Sequence, residues 1–436
     1  MNIKLTVYLT ALLALAVVAV VFVINPRHEA AEQMQSKRVF HIQRTGAVST
    51  IDLKNGNGSF TLNKNSQGTW VIISPVATGA DQTVVNALLT ALTTLSYKKK
   101  IGTGTLSAFG LSPASITATV TLRDKQAYSL QIGAAAPLGK NYYAVASNGT
   151  RGIFTVTSWI RGQLDDTLFQ LRDKAPITVS RNDLSAIGFT SNARPVYTLR
   201  RKNGVWFITK PKLNRVRPSV VNGMVFQLEN LRASNIIDSG MNPGAMGLEK
   251  PSEVISILLM DGKNYTITIG KHEGPDHVYA MVSGKKPVYV INTGLVTALK
   301  KNTGGMVDTR LLTEDTFAVS ALTVIRDGKA VVLTRKSYNT WEKNGVPFTD
   351  SGVVNDLVGT LTTMKASRFV GNRSLLKQAV LTFTVSGTVQ PVTTTIAIGP
   401  VNAGTVYART SIDPRLAVVA PADARRIETE VRTIFQ

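Results

Sequence analysis

The chain has 436 residues, 44% hydrophobic, 17% charged and 7% aromatic, with 49 Lys and Arg against 27 Asp and Glu and a net charge of +22. That balance describes a globular chain with material for several cores and excludes a disordered or collagen-like one. The absence of cysteine excludes disulfides, thiolate metal sites, a cysteine nucleophile and lipoprotein acylation.

Residues Leu5 to Ile24 carry no charged side chain, and a run of this length spans the hydrocarbon core of a bilayer as a helix. It is longer than the apolar region of a cleavable signal peptide, and Asn25-Pro26-Arg27 ends it, so the expectation is an uncleaved signal anchor with a linker, residues 1–36. Flanking positive charges lean towards a cytoplasmic C-terminal side, whereas long domains translocate largely regardless of charge. The basic excess is shared by residues 37–176, 177–316 and 317–436, so it belongs to a repeated unit rather than a tail. Such a surface suits an anionic envelope polymer or lipid, and equally serves general solubility.

After the anchor, Val48, Ile51 and Leu53 alternate up to the turn Asn55-Gly56-Asn57-Gly58, and Phe60 and Leu62 alternate after it, which reads as a hairpin. Gly68-Thr69-Trp70 opens the next strand and Pro75 stops it. Asp81 is placed to cap a helix carrying Val84, Val85, Leu88, Leu89, Leu92 and Leu95 on one stripe. Lys98-Lys99-Lys100 follows and is expected at the helix terminus, where it complements the dipole. The same offsets return with Trp206, Pro211 and Val220-Val221-Asn222, and again with Trp341, Pro347 and Val353-Val354-Asn355. Phe109-Gly110-Leu111 is answered by Met246-Gly247-Leu248, with no clear third counterpart. Ile132-Gly133, Ile269-Gly270 and Ile398-Gly399 close later strands, and Tyr143-Ala144, Tyr279-Ala280 and Tyr407-Ala408 open the ones after.

Each unit thus reads as three strands, a helix, four strands and a short closing helix. The expectation is an α+β fold, a mainly antiparallel sheet with helices on one face, in three tandem domains over 37–176, 177–316 and 317–436. The tryptophans recur beside apolar neighbours and are expected in the core.

Chemistry is sparse. The histidines are His28, His41, His272 and His277, so a Ser-His-Asp arrangement has few candidates, and no Walker loop, zincin helix or nucleophile elbow is present. No catalytic or cofactor-binding residue is assigned. His272-Glu273-Gly274-Pro275-Asp276-His277 concentrates zinc-ligand types, but a polar Gly-Pro hairpin loop accounts for it without a metal.

The series Gly-x-Trp, Asp-capped Val-Val-Asn helix, Gly-Leu, Ile-Gly and Tyr-Ala resembles a bacterial family of unknown function. Its members have one N-terminal anchor and tandem copies of this unit, and are commonly encoded beside gliding-motility-type ABC transporters. The resemblance covers the whole chain, including the Lys37-Arg38-Val39-Phe40 start, and is weakest in the third repeat. It implies repeats outside the cytoplasmic membrane and a non-enzymatic envelope scaffold, an accessory subunit of an exporter. The alternative is a basic module that binds an anionic envelope polymer or lipid; a metal-dependent enzyme ranks third, and nucleic-acid binding is set aside.

Overall fold

The computed structural model describes residues 37–42, 45–137, 139–240, 242–387 and 393–436. The expected anchor, Leu5 to Ile24, lies outside the described residues. Among those described, no helix is long and apolar enough to cross a membrane.

Alternation in the sequence becomes an antiparallel sheet. β1 (Val48–Asn55) and β2 (Gly58–Lys64) form the expected hairpin, in register at Asn55 and Gly58 around Gly56-Asn57. β3 (Trp70–Ser74) and the two-residue β4 (Thr78–Gly79) continue the meander to one edge. Helix α1 (Gln82–Thr93) then carries the chain to the opposite edge, where β5 (Lys99–Gly102) lies. The chain returns to the centre as β6 (Ile116–Leu122), paired with β1, and meanders outwards through β7 (Ala127–Ala135), β8 (Asn141–Ser147) and β9 (Ile153–Thr157). The resulting nine-stranded order, β4-β3-β2-β1-β6-β7-β8-β9-β5, recurs in two further sheets, over residues 184–292 and 319–419.

The Asp81 carboxylate caps α1 as expected, accepting from the Thr83 and Val84 amides at 3.1 and 3.3 Å. The stripe Val85, Leu88, Leu89 and Leu92 is buried in one core with Ile51, Leu53, Leu62, Trp70, Leu130 and Ile132 of the sheet. At about 1.5–3 kcal/mol per buried aliphatic side chain, that stripe rather than helix propensity holds α1 in place. The short helix α2 (Ser158–Gln163) packs beside α1.

Several details depart from expectation. Each sheet has two more strands than the sequence showed. Lys98-Lys99-Lys100 does not end the helix: α1 stops at Thr93, and Lys99 and Lys100 are exposed on the edge strand β5. The third closing helix (Pro421–Phe435) has 15 residues and is not short.

The chain divides after Lys174 into two compact units, the first holding one sheet and the second the other two. Within the second unit an extended segment stitches the sheets together. The Asp308 amide donates to the Arg215 carbonyl at 2.9 Å and the Arg217 amide to Met306 at 2.8 Å; further on, the Leu311 amide donates to Met364 at 3.2 Å and the Ala366 amide to Thr309 at 2.7 Å.

Charge is buried at this seam. The Arg215 side chain is fully buried, 3.5 Å from the Asp308 carboxylate, and donates to the Arg310 carbonyl. Burial pushes its pKa down against the opposing pull of Asp308 and Asp413. Arg310 also pairs with Asp308, at 3.2 Å. From the third repeat, Arg415 pairs with Asp413 at 2.9 Å and donates to the Asn214 side chain of the second at 3.0 Å.

Candidate functional site: a lysine-lined cleft in the second repeat

The recurrent glycines explain the framework. In the first repeat the turn ending at Gly110 lies flat on β7, and a Cβ on Gly133 would stand 2.4 Å from the Phe109 carbonyl oxygen. In the second, a Cβ on Gly270 would stand 2.3 Å from the Met246 oxygen, and the Lys271 amide donates to that same oxygen at 2.7 Å. Gly-Leu and Ile-Gly are therefore the two sides of one close crossing, closer than any side chain permits. The third repeat has a counterpart that the sequence did not reveal: Leu376, buried, fills the space above Gly399.

Beside this crossing in the second repeat opens a cleft of about 520 Å³. Lys250 enters it from the crossing turn, Ser252 and Glu253 from the start of strand Glu253–Leu259, Lys271 and His272 from the end of strand Asn264–His272, and Lys300 from just past helix Gly294–Leu299. Glu253 is only 7% exposed. A carboxylate so placed needs partners, and it has two: Lys300 Nζ at 3.1 Å and the Ser252 hydroxyl.

Register shows how unusual this carboxylate is. Glu253 is paired with Ile269, whereas at the same place Ile116 is paired with Ile132 and Leu381 with Ile398. The first and third repeats thus put an aliphatic side chain where the second puts a charge.

His272 lines the cleft, but the other members of the candidate metal loop do not converge on it. Glu273 and Asp276 are exposed around a hairpin that the Glu273 amide and His277 carbonyl close at 2.9 Å. Among the described residues, no three His, Cys, Asp or Glu side chains gather closely enough to hold a metal ion.

The tryptophans divide. Trp70 and Trp341 are 1% exposed, as expected of core. Trp206 is only half-buried and lines a second cleft of about 390 Å³. In the first repeat Gln82 bridges from the helix to the Trp70 amide and carbonyl at 2.9 Å each, and in the third the Ser351 hydroxyl accepts from the Trp341 amide at 3.0 Å. Pro218 stands at that helix position in the second repeat and has no side-chain group to make the bridge. A cation faces the ring across the strands: Lys64 over Trp70 at 5.2 Å and Arg335 over Trp341 at 4.5 Å, with Arg201 opposite Trp206.

Three antiparallel sheets of one topology, each with a helix packed on it, define a tandem-repeat protein. The chain belongs to the family described as domain of unknown function DUF4340, which matches residues 70–251 and again 206–381, well over half of the chain. Each match begins at a tryptophan and ends where the β6-type strand of the following sheet begins, so the family unit straddles two sheets. Among curated proteins none matches. Solved structures that align include a DnaN sliding clamp (DNA polymerase III subunit beta) from Pseudomonas aeruginosa bound to griselimycin, at 7% identity over 89% of this chain and 96% of that one, with a TM-score of 0.15. The DNA polymerase III subunit beta of the same organism aligns at 8% identity, 89% and 95% coverage and a TM-score of 0.16. Nothing about fold or function follows at those scores.

Proposed function

We propose that this chain is a non-enzymatic scaffold of the bacterial envelope, anchored through Leu5 to Ile24 with its repeats outside the cytoplasmic membrane, and serving as an accessory subunit of an ABC-type exporter. The observation that supports this reading is one sheet topology used three times, with the last two copies stitched into a single unit through residues 306–312. Copies locked by backbone pairing and buried ions present fixed surfaces, which suit holding partners in place. Gentle solubilisation and affinity purification of the chain is the test, with transporter membrane subunits expected in the eluate. Recovery of the chain alone counts against the complex, and a reporter after Gln436 that is active only in the cytoplasm removes the envelope placement.

A second reading is favoured by the lysines gathered at the cleft of the second repeat: a basic module holding an anionic envelope polymer or lipid. It predicts retention on such polyanions that falls steeply as salt rises.

A further inference from the structure

We propose that the cleft of the second repeat is a binding site for a phosphate group, carried either by a small phosphate ester or by a lipid headgroup. This rests on the second reading above and narrows it from a basic surface to one place.

The charges at the cleft do not cancel. Glu253 is neutralised by Lys300 and also accepts a hydrogen bond from the Ser252 hydroxyl. Lys250 and Lys271 line the same cleft, are exposed, and take part in no ion pair among the described residues. An excess of two ammonium groups faces the opening, and a compact, doubly charged anion is what such a pair of point charges best accommodates.

Glu253 acts here as a positioning residue. Lys300 is 62% exposed, and an exposed lysine normally samples many rotamers; the salt bridge to a buried carboxylate holds its ammonium at the cleft wall. Holding a charge in place ahead of binding lowers the ordering cost that the ligand would otherwise incur. The isoleucine and leucine at the same place in the sister repeats show that the fold itself does not call for a carboxylate there.

The remaining walls fit the same ligand. Thr293 and Thr297, on the helix face next to Lys300, bring hydroxyl groups, and Ile269, Val278 and Val296 give an apolar side. The crossing at Gly247 and Gly270 keeps the turn that carries Lys250 close to the strand that carries Lys271. A volume near 520 Å³ falls in the range of small-molecule sites. Because the first and third repeats lack the carboxylate, each chain is expected to carry one such site.

The test is calorimetric titration of the full chain in mild detergent with glycerol phosphate and, separately, with short-chain phosphatidic acid, whose headgroup is likewise a phosphate monoester. Saturable binding with one site per chain is expected for at least one: the ester alone assigns a free phosphate, the lipid alone a headgroup. The double variant Lys250→Ala/Lys271→Ala is expected to weaken binding about tenfold or more, the factor for one lost charge-assisted hydrogen bond. Lys99→Ala/Lys100→Ala removes the same charge from the edge strand of the first repeat and is expected to leave affinity within about twofold, since neither lysine lines the cleft. Absence of saturable binding to either probe overturns the proposal. Equal weakening by both double variants also overturns it, while leaving the broad basic-surface reading standing.

Discussion

The first and second repeats share their backbone pairing almost step for step, yet bury charge at different points: the first encloses Arg172, the second Arg215 and Glu253. Asp173 donates its amide to the Gly79 carbonyl at 2.9 Å, and Asp308 does the same to Arg215 at the same distance. In the first repeat the residue across from the aspartate is a glycine with no side chain to bury; in the second it is a fully buried guanidinium. Ile116 and Glu253 repeat the contrast at the other end of the sheet. One topology therefore tolerates an apolar or an ionic filling at equivalent points. At these two points the ionic choice falls in the repeat that carries the lysine-lined cleft, while the first repeat buries its guanidinium one residue before the aspartate, at Arg172.

The largest effect is expected from Asp308→Ala. It leaves Arg215 buried without its carboxylate and is expected to cost about 3–5 kcal/mol in denaturant unfolding. The matching Asp173→Ala, at an exposed carboxylate, is expected to cost less than about 1 kcal/mol. A smaller effect comes from Gly270→Ala, whose new Cβ meets backbone at Met246: about 1–3 kcal/mol. Gly399→Ala, whose one overlap is with the end of the Leu376 side chain at 2.5 Å while the Tyr407 oxygen stands off at 3.4 Å, is expected to cost less, and equal losses would contradict the crossing geometry. Next is Asn355→Ala, which removes the acceptor 2.8 Å from Trp341 Nε1 and is expected to cost about 1–2 kcal/mol, whereas Asn86→Ala, at an exposed position of α1, stays within about 0.5 kcal/mol. Smallest is Glu253→Ile, which writes the first repeat's residue into the second. Since Lys300 is 62% exposed and returns to water when its partner is removed, no buried charge is left unpaired; thermal unfolding is expected to show no loss, and a large loss would mean that the carboxylate is needed for folding.

Much of the fold was legible because its signals are local. The hairpin at Asn55, the Asp81 cap and the apolar stripe of α1 each depend on residues a few positions apart, and threefold recurrence separated them from accident. β4 is two residues long, too short to alternate, and β5 places four exposed residues on an edge, so neither carries a hydrophobic period. The lysine run was assigned to a helix end because nothing in it marks the turn after Thr93. The cleft was harder still: Lys250, Lys271 and Lys300 lie on separate elements that only the folded sheet brings together. One signal was nevertheless in the sequence. Laying Gly247-Leu248 on Gly110-Leu111 places Glu253 near Ile116, a charge in a column that is otherwise aliphatic.

The edges of these sheets bear on how the chain reaches its native state. Three sheets of one strand order on a single polypeptide offer each unfinished copy the strands of its siblings, and an open edge is a template for such borrowing. In the first sheet one rim ends in a strand of only two residues, Thr78–Gly79, and the other carries Lys99 and Lys100. A rim that short has little backbone to lend, and adjacent ammonium groups repel a second basic strand. The first copy is thereby steered to complete its own sheet rather than exchange partners along the chain.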